Sequence, residues 1–277
     1  MQSWNERQWE SIGIRNHHMF NTVMRNEVVA RAVLSAIEGY DVGPTEDAVG
    51  EFEINEPGPS RGVRLDTRLR LTSGTVYDVE LQRTDDGDLS ERTTLYSARI
   101  VVSLLHEGQK FYELPGVNVV WICTFDPFKL GRASYTFRQR CDEEPELVLS
   151  EQYTTRFLCA NNAERADSEA LRDLLAYIAS DRAEGELSRI IEEEVVRVRD
   201  DVRWREDHMS WESAIADERF EAREEGREEG QAQMAAVTRA LLAAQRFEDL
   251  QMLSQLRGRE LADAVTRYAE ELGAQQG

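Results

Sequence analysis

Apolar and polar positions alternate most cleanly between Arg61 and Gln82. Val63, Leu65, Leu69 and Leu71 are interleaved with Arg64, Asp66, Arg68 and Arg70. After Thr72-Ser73-Gly74, Tyr77, Val79 and Leu81 are interleaved with Asp78, Glu80 and Gln82. A period of two marks a strand with one face toward a core. The three-residue connection, with Gly74 where φ must be positive, predicts a hairpin whose odd-numbered positions share one face and even-numbered positions the other. That register sets Asp66 across from Glu80, with Gln82 one pleat further on. Like charges facing each other across a ladder repel, so the pair either lies on a solvated strand face or gathers around a cation.

The surrounding pattern supplies layers for this hairpin. From about His18 to Gly39, apolar residues (Met19, Phe20, Val23, Met24, Val28, Ala32, Leu34, Ile37) recur near helical spacing, and Glu27 lies between them. Residues 1–16 read as a loose lead-in, Phe52–Ile54 as a short strand and Glu56–Ser60 as a loop. A helix is expected from about Leu89 to His106. Val117–Cys123 is almost continuously apolar, as a strand covered on both faces would be, and Pro127 ends that run. Tyr135–Phe137, Leu147–Leu149 and Thr155–Cys159 read as short strands. The whole predicts an α/β fold: a central mixed β-sheet flanked by helices.

Beyond Ser168, which can start a helix through Ile178, the chain turns helical throughout. A long polar helix is expected from about Glu184 to Gly226. The E-E-G-R-E-E-G stretch (Glu224–Gly230) reads as a fraying connector, because each glycine costs a helix about 1 kcal/mol. Met234–Ala244 and Glu260–Leu272 are amphipathic, with Phe247–Leu256 between them. The expected division is a lead-in over 1–16, a core over 17–180, an acidic helical connector over 181–230 and a helical end over 231–277.

Charge sharpens this division. The chain has 53 Asp+Glu against 33 Lys+Arg, a net charge of −20. Between Asp181 and Gly230 stand 18 acids against 9 arginines, whereas Arg61 to Arg99 holds 7 of each. The hairpin region is therefore neutral and does not repel a nucleic acid as the acidic tail does. Lysine occurs only at Lys110 and Lys129. The widely spaced Cys123, Cys141 and Cys159 offer neither a disulfide framework nor a zinc site. No apolar run approaches the ~20 residues needed to cross a bilayer, so a soluble, cytoplasmic protein without a membrane partner is expected.

Two carboxylates on neighbouring strands suit Mg²⁺, which takes one or two carboxylates together with waters and phosphate oxygens. Such an ion can assist phosphodiester hydrolysis. The four histidines sit in no nucleophile motif, and there is no Walker loop or G-x-G-x-x-G. Several stretches then resemble a known family: M-F-N-T-V-M-R-N-E at 19–27, R-G-V-R-L-D at 61–66, Y-D-V-E-L-Q at 77–82, W-I-C-T-F-D-P-F at 121–128, Y-T-F at 135–137 and the late E-E-G-R-E-E-G. Together they resemble the Rpn family of recombination-promoting nucleases, also labelled transposases, which have a PD-(D/E)xK core. The likeness runs from about residue 17 to 230.

The resemblance implies a restriction-endonuclease-like core and Mg²⁺- or Mn²⁺-dependent cleavage of DNA. On matching positions it gives Asp66 and Glu80 as metal-binding acids, a backbone carbonyl from Val79, Gln82 where the wider superfamily has lysine, and Glu27 as a further acid. Gln82 would orient the water but brings no positive charge. Arg64, Arg68, Arg92 and Arg99 are candidates for phosphate contact. Where the family shows R-x-R-Y-Y-Q, this chain reads R-T-T-L-Y-S, keeping Arg92 and Tyr96 and replacing the glutamine by Ser97. The alternative to an active enzyme is a silent nuclease-fold module that binds DNA or protein. In either case the C-terminal helices are candidates for homo-oligomer assembly.

Overall fold

The structure, a computed structural model, describes residues 6–54 and 63–273. The hairpin forms in the expected register. Strand β2 (Val63–Leu71) and strand β3 (Val76–Gln82) pair antiparallel, Thr67 with Val79 and Leu69 with Tyr77. The Leu71 N–H donates to the Thr75 carbonyl at 2.9 Å, leaving Thr72-Ser73-Gly74 as the loop with Gly74 at φ +90°. Arg61, Gly62 and the loop expected at 56–60 lie outside the described residues.

Among the described residues, six strands form one mixed sheet in the order β1-β2-β3-β4-β6-β5. β1 (Thr45–Ile54) pairs antiparallel with β2, while β3, β4 (Val117–Cys123) and β6 (Tyr153–Cys159) run parallel. β5 (Ser134–Phe137) closes the far edge against β6. Leu147–Leu149, expected as a strand, makes only an isolated bridge from Val148 to Arg140.

The parallel register decides what each face holds. Asp78, Glu80 and Gln82 of β3 align with Val119, Trp121 and Cys123 of β4, and those with Thr155, Phe157 and Cys159 of β6. The crossover helix α4 lies on this face, burying Leu89, Tyr96 and Ile100 against Trp121 and Phe157. The opposite face carries Tyr77, Val79 and Leu81 with Val120, Ile122 and Leu158. On it Arg156 of β6 pairs with Glu38, the last residue of α3, at 2.7 Å, and Tyr77 donates to the same carboxylate at 3.1 Å.

The helices begin with differences from the sequence pattern. The lead-in is ordered from residue 6: α1 (Glu6–Glu10) buries Trp9, and Ile12 and Ile14 follow it into the core. The single helix expected at 18–39 is two, α2 (His17–Val23) and α3 (Glu27–Glu38). Asn26 restarts the chain by accepting from the Val28 and Val29 N–H groups, an N-cap that competes with continuation. α4 spans Leu89–Ser103, and α5 (Glu169–Ser180) starts at Ser168, whose side chain accepts from Leu171 N. The long polar helix is also divided, into α6 (Glu186–Arg199) and α7 (Val202–Ala243), with Asp201 accepting from the Arg203 N–H at the restart.

The chain divides after Glu206 into two compact units. In the second, α7 runs unbroken through Gly226 and Gly230, so the expected connector is helix. Its distal part, α8 (Phe247–Gln255) and α9 (Gly258–Gly273) enclose a small core of Val237, Leu241, Leu253, Ala264, Val265 and Tyr268.

Two glycine substitutions should have opposite signs. Gly74→Ala forces an L side chain into the left-handed region and should cost about 1–2 kcal/mol in urea unfolding. Gly226→Ala, on an exposed helical turn with nothing within 4 Å of a new Cβ, should stabilise the second unit by up to about 1 kcal/mol.

Candidate active site where two strands part

The ladder between β2 and β3 runs from Arg70–Val76 to Thr67–Val79 and stops there. One residue further on, side chains replace backbone partners. The Asp66 N–H donates to Glu80 Oε1 at 2.8 Å, and the Leu81 N–H donates to Asp66 Oδ2 at 3.0 Å. Each acid thus satisfies the strand opposite, where a parted ladder would otherwise leave donors orphaned. β2 stays with β1 (Leu65 opposite Phe52) while β3 continues beside β4 to Gln82 opposite Cys123. Asp66 and Glu80 meet where this fork opens, one residue past the end of the paired register.

The fork is not a solvated surface. Asp78, Glu80 and Gln82 are 0%, 3% and 7% exposed. Burial, reinforced by the charge of Asp66, pushes the Asp78 carboxyl well above the usual carboxylate range. Burial does the same to Glu80, with Asp66 and Asp78 adding to it. Both Asp78 oxygens are buried without a hydrogen-bond partner. Like charges this close, away from water, disfavour ionisation of both carboxyls. Arg68, opposite Asp78 in the register, and Arg92 near Glu80 pull in the other direction.

Gln82 is held on every side. Its Nε2 donates to the Thr84 carbonyl at 2.6 Å and to Asp86 at 3.2 Å, and its Oε1 accepts from Arg92 Nη1 at 3.2 Å. Arg92 comes from the first turns of α4. Its other terminal nitrogen donates to the Tyr96 hydroxyl at 3.2 Å, and its guanidinium carbon lies 4.8 Å from the centre of the Trp121 ring.

The remaining sequence-chosen residues lie at varying distance from this centre. Val79 points to the opposite face, and its backbone pairs with Thr67 and Val120. Arg68 is half-buried, 3.9 Å from Asp47. Arg64 is exposed on β2, and Arg99 lies two turns along α4 from Arg92. Glu27 belongs to α3. It is exposed in the first turn of α3, where a negative charge suits the helix N-terminus.

Three features escaped the sequence reading. Asp78 was legible in principle, since it shares the parity of Glu80. His17, the first residue of α2, places Nδ1 3.4 Å from Asp66 Oδ2 across 49 positions of sequence, and no local pattern announces that approach. The link from Arg92 to Gln82 likewise depends on how α4 docks.

Among the described residues, no group of three or more His, Cys, Asp and Glu side chains is placed to hold a metal ion. A zinc-type cage is therefore not offered. The cross-tied pair Asp66 and Glu80 does fit an ion that takes one or two carboxylates and completes its shell with water and phosphate, as Mg²⁺ does. A polar cavity of ≈ 890 Å³ lies at the opposite end of β3, lined by Glu38, Tyr77, Asn118 and Arg156 among others. Its buried charges are paired with each other, so it lacks the unbalanced acid row of the fork.

Residues 51–180 match the family described as PD-(D/E)XK nuclease family transposase, and this part of the chain is a domain of that family. No curated protein and no solved structure matches the chain. No helix among the described residues is long and apolar enough to cross a membrane.

Raised acid pKa values make the folded state hold protons that the unfolded chain releases, so stability falls as pH rises above the ordinary carboxylate range near ~4. Asp78→Asn should remove part of that dependence. Without divalent cation at pH 7 its thermal midpoint should exceed the parent's, by about 2–4 °C for each kcal/mol relieved, and the gap should narrow toward pH 4. A lower midpoint at pH 7 would contradict the electrostatic picture.

Proposed function

With a nuclease-family transposase domain over residues 51–180 as the premise, we propose that the fork between β2 and β3 is the active centre of a divalent-cation-dependent DNA endonuclease serving recombination or mobile-element movement. The observation that supports this is the reciprocal tie of Asp66 and Glu80, in which each carboxylate reaches across to the other strand where the ladder parts. Mg²⁺, or Mn²⁺ in its place, would be held by these two acids, with the Val79 carbonyl as the backbone donor that the family resemblance implies. The ion supplies Lewis-acid stabilisation of phosphoryl oxygens and makes a water a better nucleophile.

The chain's own residues do the rest. Asp66 and Glu80 offer carboxyl oxygens where a cation must enter, and burial under α4 limits bulk water around Glu80. His17 stands against Asp66 from the exposed side, where its ring limits how that carboxylate can turn. The arginines on β2 and α4 are the candidates for DNA phosphate, Arg64, Arg68, Arg92 and Arg99 among them. The C-terminal helices would join copies of the chain.

One observation favours a second reading, a silent module that binds DNA without cutting it. The Gln82 amide has both N–H groups committed to Thr84 and Asp86, so it has no free donor with which to orient a water.

Supercoiled plasmid with Mg²⁺ separates the two readings. The parent chain should nick it, and Asp66→Ala and Glu80→Ala should each reduce the rate by about 100-fold or more. Mg²⁺ should raise the parent's unfolding midpoint and leave that of each variant unmoved. Nicking that persists in both variants would remove the fork from the chemistry, and no nicking by a folded, Mg²⁺-stabilised parent would favour the silent module. Light scattering on the full chain tests assembly, with a mass above one protomer expected.

A further inference from the structure

A site that draws both a metal ion and a phosphodiester needs fixed positive charge to complement its acids, and the fork has three acids with few cations beside them. The two lysines do not supply it. Lys110 lies over the Tyr112 ring, beyond the opposite end of β4, and Lys129 is exposed in the turn closed by Asp126. Of the arginines on the two strands, Arg64 is exposed, Arg68 faces Asp47 and Asp78, and Arg70 lies opposite Val76, toward the hairpin loop. Arg92 is anchored at three points: to the Gln82 amide oxygen, to the Tyr96 hydroxyl and over Trp121. Tyr96 itself stacks on Trp121 with ring centres 5.6 Å apart, so the guanidinium is fixed by the same packing that docks α4.

We propose that Arg92 is the resident cation of this site, presented to a non-bridging oxygen of the DNA phosphate, and that Gln82 is its positioning residue. The proposal deepens the nuclease reading and rests on it for the identity of the phosphate. A guanidinium has five N–H donors in a planar fork. Gln82 and Tyr96 engage one terminal nitrogen each, which leaves donors for a phosphate oxygen. Gln82 is suited to this task by being neutral and an acceptor. A lysine there would set an ammonium against the guanidinium and offer it no lone pair. The amide's other end, tied to Thr84 and Asp86, fixes which atom faces Arg92, since a carbonyl and a carboxylate accept only donors. The missing positive charge on β3 and the commitment of the Gln82 amide therefore share one explanation. The charge has moved to α4, and residue 82 holds it there.

A charge exchange tests this on the full chain, using plasmid nicking with Mg²⁺ and fluorescence anisotropy of a short DNA duplex in EDTA. Arg92→Gln should slow nicking by ~100-fold, and Arg92→Lys should retain part of the rate. The same Arg92→Gln variant should bind duplex more weakly, with a salt slope smaller by about one. Gln82→Lys alone should also lose activity, whereas Gln82→Lys with Arg92→Gln should return to within ~10-fold of the parent, because one cation and one amide again face each other. Circular dichroism and the thermal midpoint confirm that each variant is folded. If the parent does not nick but Arg92→Gln still lowers duplex affinity and the salt slope, the nuclease reading fails while Arg92 keeps its phosphate. If Arg92→Gln nicks and binds as the parent does, or the exchanged pair is no better than either single change, the proposal is wrong.

Discussion

The structure depends on one unfavourable arrangement: three polar side chains of β3 lie on a sheet face that the fold buries. Asp78, Glu80 and Gln82 point toward the same side as Trp121 and Phe157, and α4 covers that side. Burying a carboxylate without a partner is costly, so the rest of this face must hold the strand in place. The apolar cluster around Trp121, Tyr96 and Ile100 does so on one side, and the fully apolar row Val79, Leu81, Val120 and Ile122 does so on the other. β3 is thus pinned from both faces and cannot turn its acids outward without losing both cores. Here the sheet's stability is what sustains an electrostatically strained row.

The parting of β2 from β3 follows from the same row. A continuing ladder would give the Leu81 N–H a backbone partner on β2, while the Asp66 N–H, like the other even-numbered N–H groups of β2, would face β1. Instead each N–H is taken by the acid of the facing strand, so the side chains do the work of the ladder and are fixed by it. α4 then acts as more than a cover. Through Tyr96 and Ile100 it seals the apolar half of the face, and one turn before Tyr96 it delivers Arg92 to the polar half. Burial and charge placement are set by one helix and change together.

What could be read from the sequence follows the range of the forces involved. Strand alternation is a local property, so the hairpin, its three-residue loop and the pairing of Asp66 with Glu80 were legible from Arg61 to Gln82. The parity that chose Glu80 also contained Asp78, but an acid next to an assigned acid reads as solvation until its burial is known. Helix breaks were less legible because they rest on single side chains: Asn26 and Asp201 restart helices inside runs whose periodicity continues. The approach of His17 to Asp66, the docking of Arg92 on Gln82 and the burial of Trp9 and Ile14 all depend on packing between distant segments. None leaves a trace in spacing.

The matched segment, residues 51–180, holds β2 to β6, α4 and α5, and so the acids themselves. The site it contains is nevertheless not closed by that segment. The face of β3 opposite the acids lies over α3, whose Val29, Val33, Leu34 and Ile37 are buried, and the Glu38 carboxylate binds both Tyr77 and Arg156. α2 supplies His17 to Asp66 and packs with α6, which lies beyond residue 180. If the acid row is held in place by cores on both faces, then one of those cores is built largely from chain outside the matched segment. The geometry of Asp66 and Glu80 is in this sense a property of the whole first unit, and a nuclease sheet carrying the same motif without α2, α3 and α6 would lack one of the two cores that pin β3.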